Sequence, residues 1–408
     1  MRIRLVIPAA LASAALVLIP ALPAAAATTT WTSPTDSWWS AASWTTSVPT
    51  AGDDIVFAGG VRSTYELGSE TFSSLRFTNE HLIANGGGAI TLTHGLIVEA
   101  GAFATIEPAL ATSGSQTFDV AAGGSLTLPS IVTVDPASSL TLDVDGSLSV
   151  TTGRLDGGAA ACIRSIGSGV VAFSSGGGVG TCPGYPLGLV VTAGETTFTP
   201  GAFLGGTDIV AAGGLVTGGS DTSPATVRQL SLIAGGTVSP GGSAGSGIGH
   251  LALWGTTAWT GGTYVVDVTG GGGPSDRVAG QGRPISVAGT VLSPRLIDLA
   301  VAGESWSVLE SDVAVNGQFV SPDGATLASG DEFEANGQIF SVAYLPTSVE
   351  VTWERAAPVV LPPVIPAAPS LPETGAAAIS LSTVLLALGS LLAGVVLVLV
   401  SRRLVAAR

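Results

Sequence analysis

Residues 139–150 read SLTLDVDGSLSV. Leu140, Leu142 and Val144 alternate with Thr141 and Asp143, Asp145-Gly146 supplies a turn, and the alternation resumes at Leu148 and Val150. A period of two is that of a half-buried strand, and Asp-Gly is turn chemistry. The same form returns in AITLTHGLIVEAGAFATI (89–106), VAAGGSLTLPSIVTV (120–134), SGVVAFSSGGG (168–178), LGLVVTAGETTFTPG (187–201) and LVTGGS (215–220). Helical periodicity is hard to find between Thr28 and Arg355. The runs recur at roughly 20-residue intervals, a loose period of the kind that marks a solenoid. A parallel β-helix accounts for it: each coil stacks about 4.8 Å above the last, buries one side of every strand and leaves the other wet. Glycine then belongs at the corners. The 57 glycines and the low charged fraction of 11% could suggest disorder, but disordered chains lack this ordered alternation.

The expected fold class is therefore all-β, with a parallel β-helix over residues 51–249. From about residue 250 the strands lengthen: Tyr264, Val266 and Val268, then Phe333, Ile339 and Val342 around the hairpin signal Asn336-Gly337, then Val349, Val351 and Trp353. This predicts a β-sandwich-like C-terminal cap over 250–355. At the other end, residues 28–50 hold four of the eight tryptophans, Trp31, Trp38, Trp39 and Trp44. Two readings stay open for them, a cap over the open end of the solenoid and a carbohydrate-stacking platform.

Cys162 and Cys182 are the only cysteines and lie one loose period apart. On adjacent coils they would fall within disulfide range, and an even count in an exported chain favours pairing.

Both termini read as targeting segments. Residues 1–27 carry Arg2 and Arg4, an apolar stretch and a small-residue exit, the pattern of a secretory signal peptide. Residues 356–370, AAPVVLPPVIPAAPS, form a proline-rich spacer, about 45 Å long if extended. Residues 376–400 are 25 residues without a charge, long enough to span a bilayer, and Arg402 and Arg403 in the tail 401–408 fit a cytoplasmic stop-transfer cluster. Between these termini the chain is acidic, with nine arginines against all 29 acids. Nucleic acid is excluded as a partner, since phosphate recognition needs basic patches. No lysine is present, so neither lysine-linked pilin polymerisation nor Lys-Asn isopeptide stapling is available.

Leu371-Pro372-Glu373-Thr374-Gly375, followed by the apolar span and the basic tail, resembles the cell-wall sorting signal (LPXTG) of Gram-positive surface proteins. The resemblance implies that sortase attacks the carbonyl of Thr374, releases Gly375 onward, and transfers the chain to an amine of the peptidoglycan precursor. The partners so implied are sortase, peptidoglycan and, before sorting, the membrane; the implied location is the cell wall. The middle of the chain resembles autotransporter-type passenger repeats in SAASWTTSVPTAGDDIVF (40–57), TSGSQTFDVAAGGSLTL (112–128) and the glycine-rich stretch over 235–268. That resemblance implies a right-handed parallel β-helix with a cap, although no outer-membrane barrel follows, and it says little about ligand.

Polysaccharide lyases and glycosidases also use β-helices, with carboxylate pairs, calcium sites or arginine bases across a strand face. Asp53-Asp54, Asp143 with Asp145, and His94-Gly95 are the candidates here, each with a plainer reading as a turn or exposed strand residue. Two carboxylates are too few for calcium, and three scattered histidines make no metal cluster. The expectation is a non-enzymatic surface protein without cofactor or metal, acting in adhesion or surface structure through a carbohydrate or protein ligand. A wall-associated carbohydrate-active enzyme on the same fold is the alternative.

Overall fold

The structure, a computed structural model, describes residues 26–151, 155–157, 161–175, 182, 188–242 and 247–358. The expected signal peptide, sorting motif, membrane span and basic tail lie outside these residues. Among the described residues no helix is long and apolar enough to cross a membrane, and the one helical element is the 3-10 turn Ala41–Ser43.

The decisive stretch forms two strands, Ser139–Val144 and Ser147–Val150, with Leu140, Leu142, Val144, Leu148 and Val150 all buried. They do not pair with each other. Ser139–Val144 pairs in parallel with Gln116–Val120 below and Cys162–Ile166 above, while Ser147–Val150 pairs with Ser125–Leu128 and Val170–Ser175. Asp145-Gly146 is thus the corner of a coil. At Gly146 a Cβ would run into the carbonyl oxygen of Gly124 on the preceding coil, so stacking the corners requires glycine.

Three parallel ladders repeat this arrangement, and the chain is a parallel β-solenoid. Inward side chains stack in columns through the tube, as in Ile55–Leu75–Leu96–Phe118–Leu142. A second column runs from Ala104 through Leu126, Leu148 and Val171. Alternation gives every strand such a wall, and the stacked walls merge into one continuous core. The register step per coil is not constant: Asp54 faces Ser74, whereas Val278 faces Leu309. Longer corner loops widen the later coils.

The change of texture near residue 250 marks this widening rather than the end of the stack. His250–Leu253 pairs in parallel with Ala225–Leu232 and with Arg277–Gly280, and parallel pairing continues to the Val291–Val320 bridge. The cap proper is the antiparallel sheet that follows, Glu332–Ala335, Gln338–Tyr344 and Ser348–Ala356, whose last strand also pairs antiparallel with Ser305–Ser311. Asn336 and Gly337 both have positive φ, 52° and 74°, as a two-residue hairpin turn demands.

Candidate functional site

The four N-terminal tryptophans divide three to one. Trp31, Trp38 and Trp44 are buried and pack edge to face, with ring centroids 4.9 and 5.2 Å apart, over Phe57, Tyr65 and Phe72. Trp44 donates from Nε1 to the carbonyl of Trp38 at 3.0 Å, and Trp38 donates to Ser63 Oγ at 2.9 Å. Ser63 Oγ lies 2.9 Å from His81 Nε2, and His81 Nδ1 lies 3.3 Å from the carbonyl oxygen of Gly60. One tautomer satisfies the chain: Nδ1–H donates to Gly60, and Nε2 accepts from the Ser63 hydroxyl. Burial holds the His81 imidazole neutral, with its pKa lowered to about 4. Residues 43–45 run back along the first strand, Thr28–Trp31, with Thr32 N donating to Ser43 O and Thr45 N to Thr30 O at 2.9 Å each. The cluster is a cap. Only Trp39, 62% exposed, is presented to solvent, so a four-tryptophan stacking platform is ruled out.

The carboxylate candidates serve turns and ladders. Asp53 accepts from the Thr50 backbone N–H at 2.8 Å and its hydroxyl at 3.0 Å, closing the turn before the strand Asp54–Phe57; Asp54 accepts from Ser74 on the next coil at 2.7 Å. Asp145 accepts from the backbone and side chain of Ser168, which hold its carboxyl below the usual range. Asp143 stands beside Asp119 in register, and burial, then the neighbouring Asp143 and Asp145 charges, push the Asp119 pKa up. His94 is exposed and meets Ser73 Oγ at 3.1 Å. No group of three or more metal-ligating side chains occurs among the described residues.

Cys162 and Cys182 form a disulfide with Cα atoms 4.6 Å apart, but not at equivalent positions of adjacent coils. The strand partner of Ile163 is Leu189, so Cys162 aligns with Gly188, while Cys182 sits six residues earlier. The two cysteines pack with Val190 and Val210 in a small cluster separate from the main core. Because Leu189 and Val191 point inward, Val190 points outward, yet it is fully buried. The disulfide therefore pins Cys182 against the outer wall of the tube.

A third region emerges only from the coil register. On one outer face the column Phe203–Thr226–Ala252–Ala279–Glu310 runs across successive coils. Phe203 and Trp254 are 53% and 50% exposed and meet edge to face at 5.6 Å. The Trp254 ring is mounted on the coil beneath, since Trp254 N donates to Arg228 O at 3.1 Å and Gly255 N to the same oxygen at 2.5 Å. Arg228 closes a two-point ion pair on Asp208, with Nε donating to Oδ1 at 2.5 Å, and this contact raises the guanidinium pKa. His250 lies on the next coil and Arg277 on the one after; Arg277 Nε donates to His250 Nδ1 at 3.3 Å, which places the imidazole proton on Nε2, and burial, then the Arg277 charge, lower the His250 pKa to about 4. The far end is acidic: Glu310, Asp312 and Glu350 line an open depression of about 650 Å³.

No spacing within a single segment connects these residues, which are about 25 positions apart from coil to coil. An exposed tryptophan after an alternating HLALW strand was the one available signal. No known family profile matches the chain, and no curated protein matches it.

Proposed function

We propose that this is a secreted surface protein, joined covalently to peptidoglycan through Thr374 by sortase, whose solenoid is displayed at the wall for adhesion or surface structure. The observation that carries this reading is the order of parts at the C-terminus: a proline-rich spacer, LPETG, an apolar span of 25 residues and a basic tail. The spacer exposes the pentapeptide, and the span holds the precursor in the membrane until cleavage. The solenoid supports display: it is one compact unit whose last strand, Ser348–Ala356, leads directly into the spacer.

Binding rather than catalysis is the proposed mode. In support, Asp53, Asp54 and Asp145 are each occupied in holding turns or neighbouring coils. Fractionation of cells expressing the Thr374→Ala variant tests the anchoring. The variant should move from the muramidase-released wall fraction to membrane or medium; unchanged covalent attachment would refute it.

A further inference from the structure

We propose that Asn316 is a self-modification site: the Asn316-Gly317 pair converts spontaneously to aspartyl and isoaspartyl forms, releases ammonia, and so loosens the junction between the last coil and the cap. The inference goes beyond the reading of the ectodomain as a displayed surface and does not depend on wall anchoring.

Three of the four asparagines precede glycine, at Asn85-Gly86, Asn316-Gly317 and Asn336-Gly337. Glycine in second place leaves the following amide nitrogen unshielded, so that it can reach the asparagine Cγ. The dipeptide alone does not decide the outcome, because the attacking nitrogen and the leaving amide must both be free. The structure separates the three pairs. At Asn85 the nitrogen is engaged: Gly86 N donates to Tyr65 O on the coil below at 2.9 Å, and Asn85 Oδ1 accepts from Gly87 N at 2.9 Å. At Asn336 the amide is engaged: Nδ2 donates to Pro294 O at 2.9 Å and to Ser293 Oγ at 3.3 Å, and both hairpin residues are held at positive φ. At Asn316 neither is engaged. Among the described residues no hydrogen bond reaches its side chain or Gly317 N, and Asn316, Gly317 and Gln318 are all exposed.

The backbone at Asn316 is also placed to lift. Val315–Asn316 is a two-residue strand that pairs with Ile285–Ser286 and has no partner strand on its other side among the described residues. Its ladder ends with Val287 N donating to Asn316 O at 2.9 Å. A short edge strand opens at low cost, and each opening lets the peptide group turn until Gly317 N meets Cγ.

The step is redox-neutral and needs only water. Gly317 N gives its proton to hydroxide and bonds to Asn316 Cγ; the Cγ–Nδ2 bond breaks, and Nδ2 takes a proton from water and leaves as ammonia. Water then adds to either carbonyl carbon of the cyclic imide. Opening at Cγ yields aspartate, and opening at the main-chain carbon yields isoaspartate, which routes the backbone through the side chain and lengthens it by a methylene group. The lengthening falls three residues before an anchor. Phe319 is fully buried, stacks on Tyr264 with ring centroids 6.2 Å apart, and donates from its backbone N to Tyr344 Oη in the cap at 2.8 Å. The longer backbone puts the Val287 bond and this anchor out of step.

The test is timed incubation of the full chain in detergent micelles at mildly alkaline pH in heavy-oxygen water, followed by peptide mapping with mass spectrometry and enzymatic methylation of isoaspartate. Asn316 should convert about tenfold or more ahead of Asn85 and Asn336, each of which must first give up a hydrogen bond worth about that factor. In urea the three sites should converge, because the shared dipeptide then sets the rate. Hydrogen exchange at Val287 and Phe319 should speed up in the converted fraction and hold steady over the same incubation in Asn316→Gln, whose longer side chain cyclises far more slowly. Conversion of Asn85 or Asn336 as fast as Asn316 in the folded chain, or an intact Asn316 over a time in which the unfolded chain converts fully, would overturn the site. Unchanged exchange at Val287 in the converted fraction would overturn the loosening.

Discussion

Replacing Cys162 and Cys182 together by alanine should lower the stability of the solenoid by about 3 kcal/mol and open one side of it. The bond joins residues 20 apart in sequence. Releasing a loop of that length restores chain entropy to the unfolded state worth about 3 kcal/mol at 25 °C. A second effect is local. Val190 and Val210 face outward and are buried in one cluster with the two cysteines. Uncovering a valine costs about 1.5–3 kcal/mol, which resists the opening but no longer has a covalent bond behind it. Alanine is chosen over serine so that no hydroxyl is buried without a partner. Guanidinium unfolding followed by far-ultraviolet circular dichroism should show a lower midpoint. The slope should also fall, because a repeat array weakened at one coil unfolds less cooperatively. Limited proteolysis with mass spectrometry should find new cuts near the released Cys162 and Cys182 positions. An unchanged midpoint, together with an unchanged cleavage map, would show that the bond contributes nothing to the fold.

Trp38→Ala should cost about 3–5 kcal/mol in the same unfolding assay, since it empties the N-terminal cap and removes the donor to Ser63, while Trp39→Ala should stay within about 0.5 kcal/mol. The His81 network is acid-sensitive. Its folded pKa of about 4 lies below the unfolded value of 6.5, so its contribution is complete above about pH 6.5 and is lost as pH falls toward 4. Melting temperature against pH should decline over that window, and less steeply in His81→Gln, where the buried His250 still supplies part of the slope. Gly146→Ala should destabilise by more than about 1 kcal/mol in urea unfolding, because its methyl group meets the Gly124 carbonyl.

What could be read in advance follows from which interactions are local. The alternation of Leu140, Leu142 and Val144 and the Asn336-Gly337 turn are written in adjacent residues, and the structure realises both. The length of each coil is not local: it depends on corner loops whose size does not disturb the stack, so a period near 20 residues holds from Asp54 to Ser74 but stretches by Val278 to Leu309. That drift made residues 250–320 look like a different architecture. It also hid the exposed aromatic pair, because Phe203, Arg228 and Trp254 become neighbours only once the register is known. Composition left the tryptophan cluster open between two readings, because residue type alone cannot distinguish a ring that seals an end from one that faces solvent. Trp31 and Trp39 differ by eight positions and by nearly their whole exposure.

The last strand of the cap determines how the molecule bears tension. Ser348–Ala356 lies between Gln338–Tyr344 and Ser305–Ser311, antiparallel to both, and Ala357 N adds a bond to Gly337 O at 2.9 Å. Load applied at Ala356 along the strand is shared by backbone bonds on two sides, which must shear together instead of parting one at a time. The solenoid behind this clasp is spared from unwinding coil by coil until the clasp gives way. A chain held by its C-terminus and tugged at a distant face therefore meets the force first at a strand bonded on both sides.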